Sequence, residues 1–139
     1  MTTYYKDVRE IEAVVNGFEA CTTAKEDFSH RSHLTVASYY LHTSNEPDAT
    51  QRMRAGLLRF LDHHGVGRTK FHETLTIFWI RTVSVFLERL DDELTLLEAT
   101  NAVVESLGDS RLVLEYYSEE FLWADETRNR WIAPDLKDL

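Results

Sequence analysis

Three histidines and one glutamate are the residues of this chain whose types and spacing best suit chemistry. His30 and His33 lie three positions apart in the stretch FSHRSHL, so a helix would place both imidazoles on one face. His72 and Glu73 lie near the start of a second stretch, KFHETLTIFW. If the two helices pack side by side, the three imidazoles converge, and imidazole suits Zn, Fe, Mn or Ni better than Mg or Ca. The pattern predicts a polar site in which His30, His33 and His72 are candidate ligands of a transition metal.

His72 and Glu73 are also the candidate catalytic residues. Glu73 would orient a histidine or act as a base. The dipole of the helix that follows should lower the pKa of His72 and favour the neutral form that a ligand or base requires. A structural interpretation stands beside this one, because a histidine at a helix start often only bonds a neighbouring group and an acid in a first turn is explained by the dipole.

The usual metal and phosphate motifs are absent. Thr76 stands where the zinc-protease motif HExxH needs its second histidine. No Glu-x-x-His occurs, which argues against a ferritin-like di-iron bundle, and a single cysteine excludes cysteine-rich zinc sites. The loop GVGRTKFH, with Arg68 and Lys70 before a helix start, could attract an anion but lacks the phosphate-loop pattern.

Three further residues receive structural predictions. His63 and His64 end the third predicted helix, where positive charge complements the dipole, so they are expected at the surface. Cys21 ends the first predicted helix and is expected to be a small core residue rather than a nucleophile.

Length and charge limit the class of protein. With 139 residues, of which 43% are hydrophobic, the chain is expected to form one helical domain over residues 1–139. A formal charge of −9 argues against nucleic acid and anionic membrane surfaces as partners. The single cysteine fits a reducing cytosol, and neither a signal peptide nor a membrane span is expected.

Helical spacing of apolar residues predicts an all-α fold, a compact bundle of five or six helices. Residues 71–90 are apolar on almost every side and should form a central helix buried all round. The other helices are expected at about 7–20, 29–41, 47–65, 91–107 and 109–115, with another cap at Ser118.

Several stretches resemble a family of small bacterial proteins of undefined function. The family pattern is F-x-H-x-x-H-L-x-x-A-x-x-Y-L, then G-L-x-x-F ending in H-G, then Y-H-E-T-[LI]-T, and finally W-x-x-P-D-L. FSHRSHLTVASYYL, GLLRFLDHHG, KFHETLTIFWI and WIAPDL are similar to it, over about residues 28–90 and 116–136. His30, His33, His72 and Glu73 land on its polar positions, and Phe71 stands where Tyr is usual. The resemblance implies a site there without implying a reaction.

Two functional hypotheses remain open from the sequence. In the first, the His/Glu site binds a metal or a small molecule and the protein is an enzyme. In the second, the protein is a non-catalytic helical module that binds a partner or small ligand, and the histidines are structural. The sequence gives no prediction of oligomeric state.

Overall fold

The computed structural model describes residues 4–139, and these residues form α-helices and short 3-10 helices without any β-strand among them. The predicted all-α class is therefore confirmed. Five α-helices have eleven or more residues, and two short ones follow. The α-helices are α1 (Val8–Glu19), α2 (His30–Thr43), α3 (Glu46–His63), α4 (Glu73–Glu88), α5 (Leu96–Ser106), α6 (Glu119–Leu122) and α7 (Asp125–Asn129). The 3-10 helices are Lys25–Asp27, Arg68–Lys70 and Ser110–Glu115.

Local capping determines where α5 begins. The side chain of Thr95 accepts a hydrogen bond from the backbone of Glu98 at 3.1 Å, and the Glu98 carboxylate accepts one from the backbone of Thr95 at 3.0 Å. This reciprocal pair satisfies two N–H groups of the first turn. The predicted start at residue 91 was wrong, because the cap is Thr95, four residues after Asp91. The predicted helix at 109–115 exists, but as the 3-10 helix.

Helix α4 is central, as predicted, because it contacts α2, α3, α5 and α7. Its burial is not complete, however, since Val85 is 42% exposed and Arg81 faces solvent. The prediction that α4 is buried on every side was wrong for this face. Helix α2 shares the centre, because it contacts α1, α3, α4 and α5 and residues 34–38 are all buried.

The segment after α7 packs back against α4. The hydroxyl of Thr74 donates a hydrogen bond to the carbonyl of Arg130 at 2.7 Å and accepts one from the N–H of Ile132 at 3.1 Å. Further along, the carboxylate of Asp135 accepts hydrogen bonds from the backbone and the hydroxyl of Ser118 at 2.9 and 2.6 Å. These bonds hold an irregular chain end on the helical core. None of the described helices is both long and apolar enough to cross a membrane.

We expect Trp79→Ala to lower the free energy of unfolding by about 3–5 kcal/mol, the usual cost of a large core truncation. Trp79 is only 3% exposed, as predicted, so its removal leaves a cavity. Val85→Ala on the exposed face of the same helix is the control, with an expected change within about 0.5 kcal/mol. Urea unfolding of both variants measures the difference, and equal losses would contradict the assignment of the buried face.

Candidate functional site

His72 joins the start of α4 to the chain after α5. It is the N-cap residue of α4, and its Nδ1 accepts a hydrogen bond from the backbone N–H of Leu75 at 3.0 Å. Its Nε2 lies 2.8 Å from the carbonyl oxygen of Leu122. The side chain is buried, and its ring meets that of Trp123 edge to face at 5.3 Å. His72 therefore has a structural role at the start of a core helix, because it caps α4 and bonds the backbone of α6.

The two hydrogen bonds fix the protonation state of His72. Because Nδ1 accepts from a backbone N–H, it carries no proton, and Nε2 must donate to the Leu122 carbonyl. Burial lowers the pKa of this imidazole, opposed by the bond to Leu122, while the charge of Arg128 lowers it further. His72 is thus neutral, as the sequence suggested, but both of its nitrogens are already bonded.

Glu73 contacts an arginine instead of a histidine. Its two carboxylate oxygens accept hydrogen bonds from the Nε and an Nη atom of Arg54 at 2.8 and 2.5 Å. These bonds raise the pKa of the Arg54 guanidinium. The Glu73 side chain is only 18% exposed, and the bidentate pair links α3 to α4. Its predicted role of orienting a histidine is not what the hydrogen bonds show.

His30 faces a different part of the core. Its Nε2 lies 3.0 Å from the carbonyl oxygen of Leu107, the C-cap residue of α5, and its ring meets that of Trp79 at 4.5 Å. Burial lowers the pKa of His30, opposed by the Leu107 bond and the charge of Asp109. This imidazole joins the start of α2 to the end of α5.

Of the three predicted ligands, His33 is the one whose ring has no hydrogen bond to the described residues. Its Nε2 atom is buried and unpaired, and its ring lies 6.3 Å from that of Phe28. Burial, with a smaller contribution from His30, lowers the pKa of His33 to about 4. A neutral, unsatisfied imidazole inside a protein is costly unless another group completes its bonding.

His33 lines a cavity of about 290 Å³, at the lower end of the range usual for small-molecule sites. His72 lines the same cavity, whereas His30 does not. The walls are mostly apolar and carry no carboxylate. The remaining lining residues are Lys25, Phe28, Leu57, Phe60, Leu61, Val66, Lys70, Phe71, Leu75 and Thr76.

The predicted ligand set of His30, His33 and His72 is therefore not assembled around one point. Across residues 4–139 no group of three or more His, Cys, Asp or Glu side chains is arranged to hold a metal ion. Two of the imidazoles bond backbone carbonyls, and the third faces the cavity. All three residues of the H-E-T stretch, His72, Glu73 and Thr74, make hydrogen bonds that link separate parts of the fold.

The other predicted residues lie outside this cavity's lining. Cys21 is buried, as expected, and ends α1 with a left-handed φ of 59°. His63 is exposed, as expected. His64 is not fully at the surface, because its ring packs on Phe60 at 4.4 Å and its Nε2 is buried without a hydrogen bond in the part of the chain that is described.

Sequence reasoning missed most of the cavity. Phe28 and Phe60 stand at phenylalanine positions of the family pattern but received no functional role from it. Lys25 carries no pattern that separates it from ordinary surface residues, and Arg54 gave no signal as the partner of Glu73. Lys70 had been noted only for an anion at the helix start. That start is capped by His72 itself, and the neighbouring Arg68 pairs with Asp62 at 3.2 Å.

We expect His72→Ala to cost about 2–4 kcal/mol of stability, because it removes a cap and leaves the Leu122 carbonyl unpaired. His72→Asn should recover about 1 kcal/mol of this, since the asparagine side chain can still accept from the Leu75 N–H. Urea unfolding of the two variants makes the comparison. Equal stabilities would contradict the capping role.

Stability should fall as the pH drops from 7 to 5. His33 has a folded pKa of about 4, below the ordinary histidine value near 6.5. The unfolded chain therefore binds the proton first, and the loss attributable to His33 should be about 2 kcal/mol over this interval. His33→Leu should remove this part of the loss, whereas His42→Leu at the exposed end of α2 should retain it. Denaturant unfolding at both pH values tests this, and identical pH dependences in the two variants would contradict it.

Comparison with known proteins assigns neither a family nor a function to this chain. Searches of protein-family models, of curated proteins and of solved structures find no match to this chain. The resemblance to the bacterial family with the F-x-H-x-x-H-L pattern therefore stays a prediction, and the site is interpreted from its own residues.

Proposed function

We propose that this protein binds a small molecule in the cavity beside His33. The proposed ligand has an apolar body and a hydrogen-bonding group that contacts the His33 ring. Two observations carry the proposal: His33 lines a mostly apolar cavity, and its Nε2 atom is buried without a hydrogen bond within residues 4–139. Small-molecule sites commonly combine such a wall with a few placed polar groups.

The chemistry of the cavity supports a ligand of this class. Phe28, Phe60 and Phe71 contribute aromatic surface, which favours an apolar and in particular an aromatic body. A neutral imidazole has one donor and one acceptor nitrogen, so it can bond a hydroxyl or a carbonyl group of the ligand. The pKa of about 4 keeps His33 neutral near pH 7.

Binding without catalysis accounts best for the other candidate residues. Glu73, the predicted base, is held by Arg54 and is not among the residues of the cavity wall. His72 lines the cavity, but both of its nitrogens bond the backbone. These contacts favour the hypothesis of a non-catalytic binding module, in which His30 and His72 are structural and His33 contacts the ligand.

Titration with 4-ethylphenol and ethylbenzene tests the proposal, since the two differ by one hydroxyl group. The wild-type protein should bind the phenol several-fold to about tenfold more tightly, the usual worth of one net hydrogen bond. In His33→Leu this preference should disappear while binding of ethylbenzene persists. Calorimetry or ligand-observed NMR measures the affinities.

His42→Leu is the matched control, because it removes an exposed histidine from the same helix. This variant should keep the wild-type preference. The proposal fails if neither compound binds, or if the preference for the phenol survives in His33→Leu.

A further inference from the structure

We infer that the ligand is an anion, a carboxylate whose charged group lies between Lys25 and Lys70 while its apolar body enters the cavity. This inference rests on the proposed function and adds the chemical class of the ligand. It depends on where the charges of the cavity lie.

The two lysines mark the opening of the cavity. Among its lining residues, Lys25 and Lys70 are the exposed ones, whereas His72, Thr76 and Phe60 are buried. Lys25 begins one 3-10 helix and Lys70 ends another. The solvent-facing rim therefore carries two lysine side chains, and the half-buried His33 lies in the same wall.

Both ammonium groups are available to a ligand. Within residues 4–139, neither Lys25 nor Lys70 forms an ion pair or a side-chain hydrogen bond. The nearby Arg68, by contrast, is paired with Asp62. The cavity wall also lacks any carboxylate of its own to neutralise the two lysines.

This local charge is opposite to that of the whole chain, which carries 24 acidic and 15 basic side chains. An acidic protein whose apolar cavity is lined by lysines and by no acid selects against cationic ligands at that cavity and in favour of anions. A carboxylate at the rim remains solvated, so it avoids the cost of burying a charge. Its apolar body then extends inward to the aromatic wall and His33.

Three probes on one skeleton test the sign of the preferred charge. These are 4-ethylphenol, which is neutral, 3-(4-hydroxyphenyl)propanoate, which is anionic, and 4-(2-aminoethyl)phenol, which is cationic. The carboxylate should bind on the order of tenfold more tightly than the neutral phenol at low salt, from two partly exposed ion pairs. The amine should bind more weakly than the phenol. Raising NaCl from about 0.02 M to about 0.5 M should remove most of the carboxylate's advantage, because salt screens exposed charges.

In the double variant Lys25→Gln/Lys70→Gln, the ratio of the carboxylate affinity to the phenol affinity should fall to about one, as expected when the exposed ion pairs are lost. The control is Lys6→Gln/Lys137→Gln, which changes the net charge equally at two exposed lysines that do not line the cavity. This control should keep most of the carboxylate's advantage.

The outcomes separate this inference from the proposed function. If the phenol binds but the carboxylate binds no more tightly, or if both double variants lose the advantage equally, the anionic class is wrong and the small-molecule site stands. If none of the three probes binds, the small-molecule site itself is wrong and the inference falls with it.

Discussion

The imidazole of His72 links the first turn of α4 to Leu122 of α6, because one ring nitrogen accepts a hydrogen bond and the other donates one. It accepts at Nδ1 from the first turn of α4 and donates at Nε2 to the carbonyl of Leu122. A protonated imidazole cannot accept at Nδ1, so the two bonds coexist only in the neutral form, which burial favours. Thr74, two residues later, bonds the chain after α7 on both its donor and acceptor sides. The start of α4 therefore holds the first part of the C-terminal segment, whereas Tyr117 and Ser118 bond residues further along it.

His72 and Glu73 both bond other parts of the protein, and among the lining residues His33 is the one with a buried polar atom that has no hydrogen bond within residues 4–139. Phe28 stacks on Phe18 at 4.8 Å and lies 5.2 Å from Phe60, so aromatic packing closes one side of the space. The buried polar side chains His72 and Thr76 of the lining are hydrogen-bonded, Thr76 by donating to the His72 carbonyl at 2.8 Å. An unpaired imidazole nitrogen in these surroundings is the feature that a bound ligand would explain. The lysines at the rim would then determine the charge that such a ligand carries.

Much of the fold could be predicted from the sequence because it depends on local chemistry. The apolar spacing of α1 and α4, the Ser29 cap of α2 and the terminating glycine after His64 all act over a few residues. The predicted start of α5 differed from the observed one because two local signals were present. The capping box of Thr95 and Glu98 begins the helix, and the acidic residues before it do not. The spacing of His30 and His33 placed both on α2, but helical spacing alone could not distinguish a ring that faces Leu107 from one that faces a cavity.

The sequence by itself determined the helical class, the long helices, the net negative charge and the set of polar residues that were candidates for a site. Only the tertiary structure decided their roles. Arg54 lies 19 positions from Glu73, and Leu122 lies 50 positions from His72, so no local pattern could pair them. The cavity likewise draws on α2, α3, α4 and two 3-10 helices, and its charge depends on which side chains their packing turns inward. The packing of whole helices determines which distant residues come into contact. For this reason the three predicted metal ligands do not share a site: His30 and His72 bond backbone carbonyls, and His33 lines the cavity.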